Sequence, residues 1–136
     1  MNCCRKKNIK FEAEKAFKDC KDKNMLPFDI YLPDENVIIE FDGMKSFISI
    51  DYFGGEEGFK EINLHNNLKN SFCKNNNIPI LRIPYIYSTV MDKEYFKTLV
   101  LDSIKTKTVP QEILDYYSQY KFSNYVECVK EFNEKA

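Results

Sequence analysis

Apolar and polar positions alternate with period two in the first third of the chain and recur at helical spacing after it. Ile9–Phe17 (IKFEAEKAF) alternates and predicts a first strand, followed by a charged connection over Asp19–Met25. Two neighbouring runs come next, Pro27–Leu32 (PFDIYL) and Val37–Gly43 (VIIEFDG), joined by Pro33-Asp34-Glu35-Asn36. Both are short, rich in β-branched and aromatic residues and bounded by turn formers, so they predict an antiparallel hairpin. Alternation puts Phe28, Ile30 and Leu32 on one face, opposite Asp29 and Tyr31, and groups Val37, Ile39 and Phe41 against Ile38, Glu40 and Asp42. With Leu32 facing Val37 across the turn, the register brings Asp29 opposite Glu40. A slip by one residue would mismatch every face.

Beyond the hairpin, Glu56–Asn76 predicts a helix. Phe59, Ile62, Leu68 and Phe72 form its apolar stripe, and Glu56 and Glu57 sit in the first turn, where the macrodipole favours them. Ile78–Ile83 (IPILRI) reads as a buried strand that Pro84 ends, and the strand–helix–strand order predicts that it runs parallel to Val37–Asp42. Three more helices follow: Asp92–Lys105 with Phe96, Leu99, Val100 and Ile104 inward, Pro110–Tyr120 with the proline at its start, and Ser123–Glu134 with Ser123 as N-cap. Their tyrosines read as packing residues. The expectation is one α/β domain with a mixed sheet, residues 1–90 forming the core and residues 91–136 a helical extension packed on it.

Composition narrows the function classes. With 20 basic and 21 acidic residues and a net charge of −1, no global basicity marks a nucleic-acid binder, so any such surface has to be a local patch. Five cysteines without zinc-like spacing and a single histidine, His65, read as reduced structural thiols in an intracellular, soluble protein. Neither a membrane-length apolar run nor a secretory leader is evident.

Two opposed carboxylates repel across a strand pair and weaken the sheet. A divalent cation would account for such a pair, since Mg²⁺ takes hard carboxylate oxygens. Solubilising charges on an exposed strand face would account for it too. The loop Met44–Gly55, with Lys45, Ser46 and Asp51, leaves the end of the carboxylate-bearing strand and is a candidate functional loop. On the following helix His65, Asn66 and Lys69 cluster, as a functional group or as a solvated face.

The string FDIYLP, VIIEFDG, FGGEEGFKE and HNNLKNSFCKNNNIPILRIPY resembles the PD-(D/E)xK nuclease superfamily, nearest the very-short-patch repair endonucleases and the EDxHD homing endonucleases of phages and mobile introns. The resemblance runs from about Ile9 to Tyr85. It implies a restriction-endonuclease-like mixed sheet flanked by helices and hydrolysis of DNA phosphodiesters with Mg²⁺ or Mn²⁺. It puts the first acid of the motif on Asp29, the second on Glu40 and the extra acid of the E-x-D-G form on Asp42. Asp29 and Glu40 are then the expected metal ligands, with Asp42 as a further ligand or a group behind them and Lys45 acting electrostatically on the phosphate. Because an acidic centre needs a basic rim to hold a polyanion, Lys45, His65 and Lys69 are expected to gather around the pair and hold DNA.

Several family positions differ. Ser46 stands where a histidine is usual, Asn66 where the helix supplies an aspartate, and Lys45 where the loop carries a glutamine. No glutamate precedes the first strand within Met1–Lys7 to match the family's N-terminal helix. Two functions follow: a metal-dependent endonuclease with an altered site, or an inactive nuclease fold kept for binding DNA or a protein. The C-terminal helices could serve a homodimer or a protein partner. Positions 46 and 66 are expected on polar faces, where His and Asp could be restored without touching the core.

Overall fold

The structure is a computed structural model that describes residues 9–47, 54–90, 92–119 and 124–135. Among these residues the strands are β1 (Glu12–Lys21), β2 (Met25–Leu32), β3 (Val37–Asp42) and β4 (Ile80–Pro84). A 3₁₀ turn, Met44–Ser46, follows β3, and the helices are α1 (Gly55–Asn75), α2 (Tyr85–Val90), α3 (Lys93–Thr106), α4 (Gln111–Ser118) and α5 (Tyr125–Lys135). The strands form one mixed sheet in the order β1-β2-β3-β4, with antiparallel pairing except between β3 and β4, which are parallel. The chain is therefore α/β, with α1 as the crossover between the parallel strands.

The hairpin forms as its alternation predicts, with Leu32 paired to Val37, Tyr31 to Ile38 and Ile30 to Ile39. Its turn closes through Asn36, which adopts a positive φ of 56° and accepts a hydrogen bond from the Tyr31 hydroxyl at 3.0 Å. Asparagine enters that left-handed region at lower cost than most residues. β1 departs from expectation at both ends. It begins at Glu12 and continues through Lys21, so only a tight turn separates it from β2, where a longer charged connection was expected. Antiparallel pairing with β2, irregular between Ala16 and Lys21, carries this polar stretch as strand although its own pattern does not ask for one. Strict alternation also fails across Asp29. Phe28 and Tyr31, three residues apart, both touch the Phe17 ring, at centroid distances of 5.9 and 5.3 Å.

The sheet is packed on both sides. Phe72 of α1 meets Phe17 and Phe28, while Phe96 of α3 meets Phe41. The core is built from Phe28, Leu32, Val37, Ile38, Ile39, Leu81 and Ile83 of the sheet, together with Val100, Ile113, Tyr117 and Tyr125 of the C-terminal helices. Burying each aliphatic side chain of this kind contributes about 1.5–3 kcal/mol.

The predicted helices recur with small shifts of boundary, and Asp92 caps α3 by accepting the Tyr95 N–H at 3.3 Å. The helix α2, directly after Pro84, was not foreseen, because a proline closing a strand also suits the first turn of a helix. The larger correction concerns α1. Its expected apolar stripe is only half-buried, whereas Asn66, Asn70 and Cys73 are its buried residues. The expected roles of Met1–Lys7, Asp51 and the Ser123 cap fall outside the described residues.

Candidate functional site

Asp29 and Glu40 are the next pair in the β2–β3 register, and there the backbone ladder stops. β3 stays paired with β4 as far as Asp42 and Pro84, but β2 pairs with β3 only from Ile30 to Leu32. The two carboxylates take over the exposed donors. Asp29 donates its backbone N–H to Glu40 Oε1 at 2.7 Å, and Phe41 donates its N–H to Asp29 Oδ2 at 2.9 Å. Each acid thus satisfies a main-chain donor of the opposite strand, which offsets part of the repulsion expected for the pair.

Lys69 of α1 completes the group. Its ammonium donates to Glu40 Oε2 at 3.2 Å and lies 5.3 Å from the centroid of the Phe28 ring. The Lys69 side chain is 13% exposed and that of Glu40 5%, so this ion pair is largely removed from water. Burial pushes the Glu40 carboxyl above its ordinary value. The charges of Arg82 and Lys69 pull the other way and offset it only in part.

Asp42 belongs to a different arrangement. Arg82 Nη1 donates to both its oxygens, at 2.8 and 3.1 Å, and the Tyr117 hydroxyl donates to Oδ2 at 2.6 Å. The guanidinium is fully buried and also reaches Asn70 Oδ1 at 2.7 Å and the Asn66 carbonyl at 3.4 Å. Burial works against the Arg82 charge, yet Asp42, Glu40 and Tyr117 together hold its pKa above the ordinary value. The expectation of Asp42 as a ligand beside the carboxylate pair therefore meets a side chain whose two oxygens are already taken by Arg82 and Tyr117. Arg82 is the residue that sequence reasoning passed over. A lone charge inside an apolar strand was its signal, because a buried guanidinium demands acceptors. Tyr117 carried no comparable mark.

The remaining candidates scatter. His65 Nε2 lies 3.1 Å from Asp22 Oδ2 and 4.0 Å from Glu61, so its partners belong to the β1–β2 turn and its own helix and not to the carboxylate pair. Of the expected basic rim, only Lys69 is seen to touch an acid of the pair. Lys45 lies in the 3₁₀ turn, and its side chain falls outside the described residues. Ser46 and Asn66, expected on polar faces, are both buried, and Asn66 Nδ2 has no hydrogen-bond partner among the described residues. For Asn66 the physical reason is Arg82, whose guanidinium reaches the Asn66 backbone carbonyl and Asn70 Oδ1 and so holds this side of α1 against the sheet.

Among the described residues no group of three His, Cys, Asp or Glu side chains is placed to hold a metal ion. Two carboxylates do meet what Mg²⁺ asks of a protein, since it keeps several waters and takes the rest from substrate phosphate. Asp29 Oδ1, without a donor among the described residues, is the open oxygen of the pair. Compared with protein-family models, with curated proteins and with solved structures, the chain matches none. No helix among the described residues is long and apolar enough to cross a membrane.

Proposed function

We propose that this is a PD-(D/E)xK-like endonuclease that hydrolyses DNA phosphodiesters with Mg²⁺ or Mn²⁺ at an altered site. The observation that carries the reading is the interlocked pair Asp29–Glu40 at the point where β2 leaves β3, with the Lys69 ammonium on Glu40. Order of elements supports it as well: an antiparallel β1-β2-β3 meander, a helix, then β4 parallel to β3. Asp29 and Glu40 would hold the cation, which when bound supplies a Lewis acid for the phosphate oxygens and a more acidic water. The chain's own share is to fix both carboxylates through backbone donors and to keep an ammonium beside them.

Plasmid nicking with Mg²⁺ or Mn²⁺ tests this reading, alongside Mn²⁺ binding followed by electron paramagnetic resonance. Asp29→Asn keeps an oxygen for the Phe41 N–H, and Glu40→Gln keeps one for the Asp29 N–H, so both variants should fold. Each should lose Mn²⁺ binding and nicking together. Nicking that survives both substitutions, or that persists in excess chelator, would place the chemistry elsewhere.

A second reading is a nuclease fold that binds DNA or a protein without cleaving it. It draws on Asp42 being taken by Arg82 and Tyr117 and on the burial of Ser46 and Asn66, where the family has its other catalytic groups. Salt-dependent DNA binding with no nicking under any divalent cation would decide for it.

A further inference from the structure

Glu40 has two oxygens and, among the described residues, two partners. Oε1 holds the Asp29 backbone N–H, which the fold keeps in place, and Oε2 holds the Lys69 ammonium, which sits at the end of a flexible side chain. Lys69 is held twice, by the carboxylate and by the face of the Phe28 ring. Two positive ions on one buried carboxylate repel strongly, because little water screens them. The ammonium therefore occupies Oε2, the Glu40 oxygen that the backbone does not hold and that a divalent cation shared with Asp29 would need.

We propose that Lys69 is the resident counter-ion of this site, and that the ammonium and a divalent cation exclude one another on Glu40. This rests on the proposed metal site and adds its regulation. In the metal-free protein Lys69 neutralises Glu40 and keeps the β2–β3 junction closed. Metal binding displaces the ammonium from Oε2 and turns it outward as a free cation beside the bound metal. A free ammonium at that point fits one ligand class, a phosphate diester approaching the metal. The metal thus frees a basic contact beside the carboxylates, whereas His65 is already partnered by Asp22.

Mn²⁺ titration of the intact protein and of Lys69→Met tests the exclusion, because methionine keeps an unbranched apolar chain for Phe28 and removes the charge. The expected result is Mn²⁺ binding about 10-fold tighter in Lys69→Met, the change that 1.4 kcal/mol of lost competition gives. Amine acetylation of the unsubstituted protein, read by mass spectrometry, gives an independent measure that needs no variant. Lys69 should react slowly without metal and several-fold faster when Mn²⁺ saturates the site. Equal or weaker Mn²⁺ binding in Lys69→Met, or a Lys69 acetylation rate indifferent to bound Mn²⁺, overturns the exclusion while leaving the metal site standing. Absence of Mn²⁺ binding in both proteins overturns the metal site and the exclusion with it.

Discussion

At the scale of single residues, Arg82 carries the heaviest electrostatic consequence. Its guanidinium is fully buried and balanced by Asp42, with Asn70 and the Asn66 carbonyl filling out its donors. Removing one member of such a pair leaves an uncompensated charge in the core. Arg82→Met should therefore destabilise the protein by about 3–5 kcal/mol, measured by urea unfolding at neutral pH. Arg82→Met combined with Asp42→Asn should recover part of that loss, because the orphaned charge goes too. Tyr125 makes a second prediction. Burial above all raises the pKa of its phenol, which donates to the Ile80 carbonyl at 3.0 Å and accepts from the Arg82 N–H at 3.1 Å. Its ordinary pKa is 10.0, so above that pH the unfolded chain loses this proton while the folded chain keeps it. By linkage its contribution to stability is then fully present below about pH 10 and falls as pH rises through the folded pKa. Tyr125→Phe should be less stable at neutral pH by about 1–3 kcal/mol for the unpaired groups it leaves. The difference from the parent should shrink in urea melts taken above pH 10.

At the scale of elements, α1 is a helix that turns polar residues inward. Asn66, Asn70 and Cys73 recur at i, i+4 and i+7, the spacing of one face, and Arg82 from β4 donates to the Asn70 side chain and to the Asn66 backbone carbonyl. Asn70 also donates to Asn124 Oδ1 at 3.0 Å, and Asn124 takes Asn67 Oδ1 through its backbone N–H, which ties the start of α5 to α1. Asn70→Leu should cost about 1–3 kcal/mol in denaturant unfolding, since it strips a buried Arg82 donor of its acceptor. Leu64→Gln, on the exposed side of the same helix, should stay within about 0.5 kcal/mol of the parent. The pair Ser46→His and Asn66→Asp, attractive as a restoration of family residues, now falls on two buried positions. It should lower the unfolding midpoint, whatever it does to nicking.

At the scale of the whole molecule, the C-terminal helices supply core side chains to the sheet. Ile113, Tyr117 and Tyr125 are at most 1% exposed, and two of their hydroxyls reach Asp42, Ile80 and Arg82 of the strands. A chain cut after Val90 would expose that surface and leave Asp42 without Tyr117. Such a fragment should lack a cooperative thermal transition by circular dichroism; a sharp transition near that of the full chain would show that residues 1–90 fold alone. The Lys74–Glu131 ion pair at 2.7 Å joins α1 to α5, but at the surface, where it contributes little.

Local pattern was enough to determine the hairpin, its register, the crossover helix and the parallel direction of the last strand. Period-two and period-3.6 spacing act over neighbouring residues, and the Pro, Asn and Gly punctuation lies beside them. That register put Asp29 beside Glu40, but the ladder ends at Ile30 and Ile39, and the two acids are joined by side-chain bonds to the opposite backbone. What the sequence left open was decided by contacts between distant residues. Whether Lys69 would fall on Glu40 and which face of α1 would be buried depended on how α1 lies on the sheet. Asp42 shows the limit most plainly. Its motif position suggested a ligand, yet its partners are a guanidinium 40 residues away and a phenol 75 residues away. No local spacing encodes them, and only packing brings a buried charge its acceptor.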